Sequence, residues 1–180
     1  MTQSLVLAAI LAGAAYCQEP AATSSDFHDE GSGITLKLPS GWSADAPNHW
    51  GVRQTTIELS GVPTQSSASL YFQFQATELS PAQMEKALFD AVAAKQLNRR
   101  QEGLDGYTIR TSECSPCKVS GHPALSCIAD FEEGGRSMNE YLTWVRTKQL
   151  NVLFFARTPT TSLASLRRAL DDMIRTAVIP

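Results

Sequence analysis

The chain has 180 residues, of which 43% are hydrophobic and 18% are charged, and its formal net charge is −3 at pH 7. This composition suits one globular domain with a hydrophobic core and excludes an intrinsically disordered chain. With 15 Lys and Arg against 18 Asp and Glu, and with no run of basic residues, the chain lacks the electrostatic pattern of a nucleic-acid-binding protein. We therefore expect no nucleic-acid partner.

An apolar run near the N-terminus has the length of the hydrophobic region of a signal peptide. Residues 5–15 read LVLAAILAGAA, which is too short to span a bilayer, and the small residues Ala12, Gly13 and Ala14 suit a signal peptidase. Residues 1–16 are therefore predicted to be a signal peptide, although no Lys or Arg precedes the run. The mature protein is expected in the periplasm or outside the cell.

Cys17 follows this leader and is a candidate for lipidation, which would anchor the protein to a membrane. A lipoprotein cysteine normally follows Gly, Ala or Ser, whereas Tyr16 precedes Cys17, so ordinary cleavage is the preferred alternative. Residues 17–32 are rich in Ser, Ala, Pro, Asp and Gly and predict a flexible tether. A single folded domain is then expected to cover residues 33–180.

The first half of this domain is predicted to contain three strands. Residues 34–38 and 69–76 alternate apolar and polar side chains, which is the pattern of a half-buried strand. Residues 51–60 form a further strand with weaker alternation, and Gly61 and Pro63 end it. Half-buried strands need another element packed on their apolar face, and the helix that follows is predicted to supply it.

A helix is predicted to begin after Ser80, which is a suitable N-cap residue. Pro81 then occupies the first helical position and Gln83 completes a capping box. Arg99 and Arg100 suit the C-terminal end and are interpreted as a cap and solvated surface. The predicted buried stripe consists of Met84, Ala87, Leu88, Ala91 and Val92.

Strands return after the helix, and a second helix closes the chain. The predicted strands are residues 104–111, 125–132, 138–147 and 150–157, and the final helix covers about 161–177. Residues 121–123 are predicted to form the turn before the second of these strands. The continuous apolar run 152–155 predicts a central strand that is covered on both faces. We predict an α+β fold, with an antiparallel sheet of about six or seven strands and two main helices packed on it.

Four features of this pattern together resemble the PsbP-like fold. They are ITLKLPSGW at residues 34–42, the single mid-chain helix, VSGHPA at 119–124, and the terminal strand followed by a helix. The PsbP-like group includes photosystem II extrinsic proteins and exported bacterial domains, and its members are mostly binding or assembly proteins without catalysis. The resemblance implies an α+β sandwich and a binding role, and it carries no functional residue across.

Three cysteines and a histidine form a metal-ligand pattern in the second half of the domain. Cys114, Cys117, His122 and Cys127 follow the spacing C-x2-C-x4-H-x4-C, which can close a tetrahedral zinc site. In an exported protein, however, thiols tend to be oxidised before metal arrives, and strand-like sequence flanks the pattern. We therefore expect no cofactor, with zinc on these four residues as the alternative.

A disulfide is the preferred use of these cysteines. With a turn at residues 121–123, Cys117 comes nearly opposite Cys127, and this is the preferred pair. Pairing of Cys114 with Cys127 is the alternative, if the hairpin carries a bulge. The third cysteine would then remain buried and reduced, pair with Cys17, or link to another chain.

No motif in the sequence specifies a catalytic activity. Cys114 and Cys117 form a C-x-x-C pair, but Gly121 and Pro123 follow within strand-like sequence, whereas redox dithiols lie at a helix N-terminus. Nucleophile elbows, phosphate-binding glycine loops and zinc-protease motifs are also missing from the sequence.

The prediction is therefore an exported, non-enzymatic binding or assembly domain at the cell envelope. Its partner would be an unknown protein or a small ligand, and it would contact a membrane only through a lipid on Cys17. The alternative is a thiol-based or zinc-binding protein centred on Cys114 to Cys127.

Overall fold

The computed structural model describes residues 25–104 and 106–180. The predicted signal peptide, Cys17 and the first part of the predicted tether lie outside these residues. The helices are α1 (Pro81–Gln101) and α2 (Leu163–Arg175). The strands are β1 (Asp26–His28), β2 (Thr35–Lys37), β3 (Ser43–Ala44), β4 (Asn48–His49), β5 (Gln54–Ser60), β6 (Ser67–Phe74), β7 (Thr108–Ile109), β8 (Ser115–Val119), β9 (His122–Glu133), β10 (Arg136–Arg146) and β11 (Leu150–Pro159).

The main sheet has nine strands, and all of its pairings are antiparallel. Its order is β3-β5-β6-β11-β10-β9-β7, with β4 also paired to β5 and β8 also paired to β9. The predicted α+β class is confirmed. The sheet contains strands that were not predicted, because β3 and β4 have two residues each, which is too short to produce an alternating pattern.

The two helices pack on opposite faces of this sheet. α1 lies over β7, β9 and β10, whereas α2 lies over β10, β11 and β2. Alternate residues of β9 and β10 therefore belong to different cores: Leu142 and Trp144 pack on the α1 side, and Tyr141 and Val145 on the α2 side. Neither of the described helices is both long and apolar enough to cross a membrane.

The start and end of α1 follow the predicted signals. The Ser80 hydroxyl accepts a hydrogen bond from the Gln83 backbone N–H, and the Gln83 side-chain oxygen accepts one from the Ser80 N–H at 2.8 Å. The helix ends at Gln101. Gly103 has a φ of +80°, which is incompatible with a further helical turn. Met84, Leu88 and Val92 of the predicted stripe are buried.

The tether prediction is wrong for residues 25–32, which belong to the folded unit. β1 pairs antiparallel with β2, and Phe27 packs against the α2-side core. Asp29 is buried and its carboxylate accepts hydrogen bonds from the N–H and hydroxyl of Ser32 at 2.7 and 2.6 Å. β1 has only three residues and is therefore too short to show an alternating pattern. The polar composition of this segment alone does not reveal that it is a strand.

β11 lies in the middle of the sheet as predicted, but it is not fully covered on both faces. Val152, Phe154 and Ala156 are buried on the α2 side. Leu153 and Phe155, on the other side, are only partly buried. The reason is that α1 lies over β7, β9 and β10. The α1-side faces of β5 and β6 are left without a described helix above them.

Candidate functional site

The β8–β9 hairpin, which carries the cysteines, turns one residue earlier than the sequence predicted. Its turn residues are Ser120 and Gly121, whose φ angles are +52° and +83°. Two successive positive φ angles are those of a type I′ hairpin turn. The register that follows places Cys117 opposite Ala124 and not opposite Cys127.

A disulfide joins Cys114 to Cys127, with a Cα–Cα distance of 4.3 Å. The preferred pairing of Cys117 with Cys127 is therefore corrected, and the alternative pairing is the one present. The physical reason is the alternation of strand side chains: the turn has two residues and not the predicted three, and this difference of one residue places Cys117 on the opposite face from Cys127. No bulge is needed, because Cys114 continues the register that pairs Ser115 with Ser126.

Cys117 is free and exposed, so of the three alternatives for the third cysteine the buried one is wrong. Its Sγ lies 3.7 Å from the Ser126 hydroxyl. Because Cys114 is already bonded to Cys127, the C-x-x-C segment does not form a dithiol in this structure. The segment also runs into β8 and does not lie at the start of a helix, where redox dithiols are found.

The four zinc-candidate residues are not brought together. Cys114 and Cys127 share the disulfide, and the His122 ring Nε2 lies 3.1 Å from the Ile179 carbonyl oxygen. Within residues 25–104 and 106–180, no three or more His, Cys, Asp or Glu side chains form a group that could bind a metal ion. The zinc pattern in the sequence thus has no matching geometry in the described chain.

An apolar groove lies between α1 and the β8–β9 hairpin. It consists of two adjoining cavities of about 550 and 510 Å³, which share Phe89 and Leu125 as walls. Phe89 and Leu97 on α1 are 61% and 57% exposed. The other lining residues are Glu85, Leu88, Val92, Ala93, Gln96 and Arg100 of α1, together with Thr111, Cys114, Pro116, Cys117, Lys118, Pro123 and Ala124.

Sequence reasoning missed Phe89 and Leu97, although a signal was present. A residue that follows a buried helical position lies about 100° further round the helix, beside the buried stripe. Phe89 follows the buried Leu88, and Leu97, eight residues further along, lies about 80° beyond Phe89 round the helix. Large apolar residues outside a buried stripe that is already complete predict a second apolar surface on the flank of the helix.

A cluster of charged residues holds α1 against the sheet. Glu140 is fully buried, and the Tyr107 hydroxyl donates to its carboxylate at 2.5 Å. Arg99 and Arg157 donate to the same carboxylate at 3.2 Å each, and Lys95 Nζ lies 3.6 Å away. Two of these four partners come from the C-terminal half of α1, so the cluster fixes the wall of the groove.

Glu140 is ionised in this setting. Burial by itself would raise the pKa of Glu140, but Lys95, the Tyr107 hydroxyl, Arg99 and Arg157 together hold it below its ordinary value. Burial and the Glu140 carboxylate raise the pKa of Tyr107, which therefore stays protonated and donates. A carboxylate that is this fully partnered and buried serves as an anchor and has no free position for a substrate.

The sequence interpretation of Arg99 as solvated surface is wrong, because its side chain is only 17% exposed and binds Glu140. The sequence signal for a buried partner of Arg99 lies in β10. Glu140 has the same parity as Met138, Leu142 and Trp144, all of which are buried on the α1 side. A charged residue at such a position predicts buried partners.

Comparison with known proteins finds no matching family model and no curated relative. Among solved structures, the solution structure of cyanobacterial PsbP from Synechocystis aligns with a TM-score of 0.66 at 8% identity, covering 89% of this chain and 95% of that one. LpqN of Mycobacterium tuberculosis, described as involved in cell envelope biogenesis, aligns with a TM-score of 0.57 at 17% identity, covering 88% and 91%.

A crystal structure from Bacteroides thetaiotaomicron aligns with a TM-score of 0.56 at 11% identity, covering 87% of this chain. This chain spans 48% of the length of that protein. At such identities, the similarity concerns the fold. The chain has a PsbP-like fold, as the sequence resemblance indicated.

Proposed function

We propose that this chain is an exported, non-catalytic binding or assembly domain of the cell envelope, which binds an apolar segment of a partner protein in the groove between α1 and the β8–β9 hairpin. The observation that carries the proposal is Phe89, which is 61% exposed on the wall that both cavities share. A large exposed apolar side chain beside a concave apolar surface is typical of an interaction site.

Export is supported by two independent features. One is the apolar leader at residues 1–16, and the other is the disulfide, since structural disulfides form and persist in oxidising compartments. LpqN, which shares the fold, is described as involved in cell envelope biogenesis. This supports the envelope as the place of action.

The shape of the groove favours a chain segment over a small molecule. Its α1 wall runs from Glu85 to Arg100, which corresponds to about 22 Å of helix. Charged side chains lie toward its ends, with Glu85 and Lys118 in one cavity and Arg100 in the other. An apolar centre with a polar rim suits an amphipathic helix or a short extended segment.

Binding of the dye anilinonaphthalene sulfonate tests the groove. The folded chain is expected to enhance the dye's fluorescence, and the double variant Phe89→Asp with Leu97→Asp is expected to lower this enhancement several-fold. Val52→Asp is the matched control, because Val52 is fully exposed but lines neither of the two cavities. An equal effect of the control and the double variant would contradict the proposal.

A thiol-based function is the second candidate, and the exposed Cys117 favours it. Cys117 would act by thiol–disulfide exchange: its thiolate would attack a disulfide that holds Cys17 or belongs to a partner, form a new disulfide with one sulfur and release the other as a thiol. Intact mass spectrometry of protein purified from the envelope, with and without reduction, separates these outcomes. A lipid mass on Cys17 would establish an anchor, and a zinc-sized adduct in native buffer would favour the metal alternative.

A further inference from the structure

The hairpin of β4 and β5 ends in a tip, residues 50–53, that carries two exposed apolar side chains. Trp50 is 61% exposed and Val52 is fully exposed. Five large apolar side chains of the described chain are exposed, and two of the five lie in this tip. Phe89 and Leu97, which line the groove, are two of the others. Because exposed apolar residues are ordinarily scattered singly, an apolar pair in one turn indicates a second contact surface.

Backbone hydrogen bonds hold the tip in place. The Trp50 N–H donates to the Gln54 carbonyl at 2.8 Å and closes the loop of residues 51–53. The Arg53 carbonyl accepts from the N–H of Phe74, the last residue of β6, at 2.9 Å. A tip that is fixed in this way presents its side chains at little cost in conformational entropy.

The apolar part of the tip is too small for a stable protein interface. A tryptophan side chain contributes about 150–250 Å² of surface, whereas each partner in a stable protein complex buries about 800 Å². A bilayer needs no complementary shape. Tryptophan also concentrates at the membrane–water boundary, where its ring meets the acyl chains and its N–H meets the head groups. The size of the tip and its residue types therefore favour a lipid surface.

A cation lies directly beside these apolar side chains. Arg53 is exposed, and it belongs to none of the ion pairs within residues 25–104 and 106–180. The exposed stretch 46–53 contains no Asp or Glu. Arginine binds phosphate through a planar fork of donors, and each basic residue near an anionic membrane surface adds to the attraction. The charge of the tip thus complements an anionic phospholipid.

The chain enters the fold along the same edge of the sheet. Ser25, the first described residue, donates from its hydroxyl to the Trp42 carbonyl at 3.4 Å, and Ser43 pairs with Ser60 at the end of β5. The tip lies at the other end of β5, at a distance of about 20 Å for a strand of seven residues. The chain from Cys17 to Ser25 can extend over at most about 29 Å. A lipid on Cys17 would therefore allow the tip to reach the same bilayer.

We propose that the β4–β5 tip inserts Trp50 and Val52 into the surface of an anionic phospholipid bilayer of the envelope, with Arg53 among the phosphate head groups. This direct contact adds to the lipid on Cys17, which is the membrane contact that the sequence suggests. β5 and the β8–β9 hairpin lie toward opposite edges of the main sheet, so a domain held by the tip presents the groove away from the bilayer. The tip acts independently of the groove. Val52 remains a valid control for the groove, because lipid at the tip gives no adduct with an envelope protein.

Tryptophan fluorescence of the processed protein in the presence of vesicles tests the contact. Trp42 and Trp144 are 9% and 3% exposed, so a change in emission on vesicle addition reports Trp50. Vesicles of phosphatidylcholine with phosphatidylglycerol should give a saturable blue shift and, when the acyl chains carry bromine, quenching. Trp50→Phe should abolish both changes. Because the emission of Trp50 follows the tip itself, a lipid on Cys17 does not by itself produce this result.

Substitutions in the tip provide the second arm. Val52→Asp should weaken the binding that Trp50 reports about tenfold or more, because it removes apolar area from the tip and adds a negative charge. Arg53→Gln should weaken it about fivefold on the anionic vesicles and leave it unchanged on pure phosphatidylcholine. Phe89→Asp is the matched control, because it adds the same charge at a side chain that is also 61% exposed but lines the groove, and it should bind vesicles like the unchanged protein. Denaturation curves establish that each variant is folded.

Four results would overturn the inference. The first is an unchanged emission of Trp50 at millimolar lipid. The second is equal binding to neutral and anionic vesicles, which would remove the role of the anionic phospholipid. The third is an equal loss of binding in Phe89→Asp and Val52→Asp, which would place the bilayer contact in the groove. The fourth is a blue shift with a lipid-free extract of envelope proteins and none with vesicles, which would make the tip a protein-binding site.

Discussion

The two helices pack against the same sheet in different ways. α2 buries Leu166, Leu170, Met173 and Ile174 against the sheet. α1 also buries an apolar stripe, but it lies over the ionised Glu140 and leaves a large apolar side chain, Phe89, exposed on its flank.

From this difference we propose that α2 has a structural role and that α1 presents the binding surface. A helix that is held by its apolar face has few apolar side chains left to present to a partner. α1 gains part of its attachment from Lys95 and Arg99, which bind Glu140 beneath it. Because polar contacts anchor its C-terminal half, its apolar flank is free to line the groove.

The largest expected effect is that of removing the α1 anchor. Glu140→Ala leaves Arg99, Arg157 and Lys95 partly buried without their carboxylate, and should lower the free energy of unfolding by about 3–5 kcal/mol. Urea denaturation at pH 7 measures this change. Lys86→Ala is the control on the same helix, because its pair with Asp90 is 75% and 61% exposed, and it should cost about 0.5 kcal/mol or less. A similar loss of stability in both variants would mean that the Glu140 cluster does not anchor α1.

A second test compares apolar residues of the two helices. Leu170 on α2 is 1% exposed, and Leu170→Ala should cost about 2–5 kcal/mol through lost burial and a new cavity. Phe89→Ala on α1 should cost only about 0.5 kcal/mol, because most of Phe89 is already in contact with solvent. If both changes cost the same in denaturation, Phe89 would be a core residue.

The disulfide ties the second wall of the groove to the sheet. Replacing Cys114 and Cys127 by Ser removes a cross-link between residues 13 apart, and should cost about 3 kcal/mol. Cys117→Ser is the matched control and should leave the unfolding midpoint unchanged. A loss of stability in the control that equals the loss in the double variant would indicate that the bond involves Cys117.

The smallest expected effect is a dependence of stability on acid pH. The pKa of Glu140 is below its ordinary value of 4.5 in the folded chain, so the unfolded chain takes up this proton first as the pH falls. The resulting stabilisation is complete above about pH 4.5 and is lost as the pH falls through the folded-state pKa. Glu140→Gln should flatten this part of the curve, and Asp130, whose pKa is lowered by Arg110, should preserve a residual slope. An unchanged slope would show that folding does not lower the pKa of Glu140.

Features with local causes could be predicted from the sequence. Ser80, Pro81 and Gln83 determine the start of α1 through contacts within one turn. The alternation of Leu70 and Phe72 in β6 likewise reflects one buried face. The α+β class followed from such elements and their order.

Features with non-local or register-dependent causes could not be predicted from the sequence. Ser120 adopts a positive φ that is uncommon outside glycine, and the two-residue turn that it forms with Gly121 places Cys117 on the opposite face from Cys127. The Glu140 cluster joins Tyr107, β10, β11 and α1, and no local pattern records which residues meet. The groove depends on the position of α1 relative to the hairpin, which only the folded chain defines.

Photo-crosslinking at position 89 in intact cells tests the central claim most directly. A photoreactive amino acid in place of Phe89 or Leu97 should give one discrete adduct with the same envelope protein, and the same amino acid in place of the exposed Val52 should not. The adduct at position 97 should also be lost when Phe89 is replaced by Asp. Adducts that are absent at 89 and 97, or equally strong at 52, would contradict the assignment of the α1 groove as the binding surface.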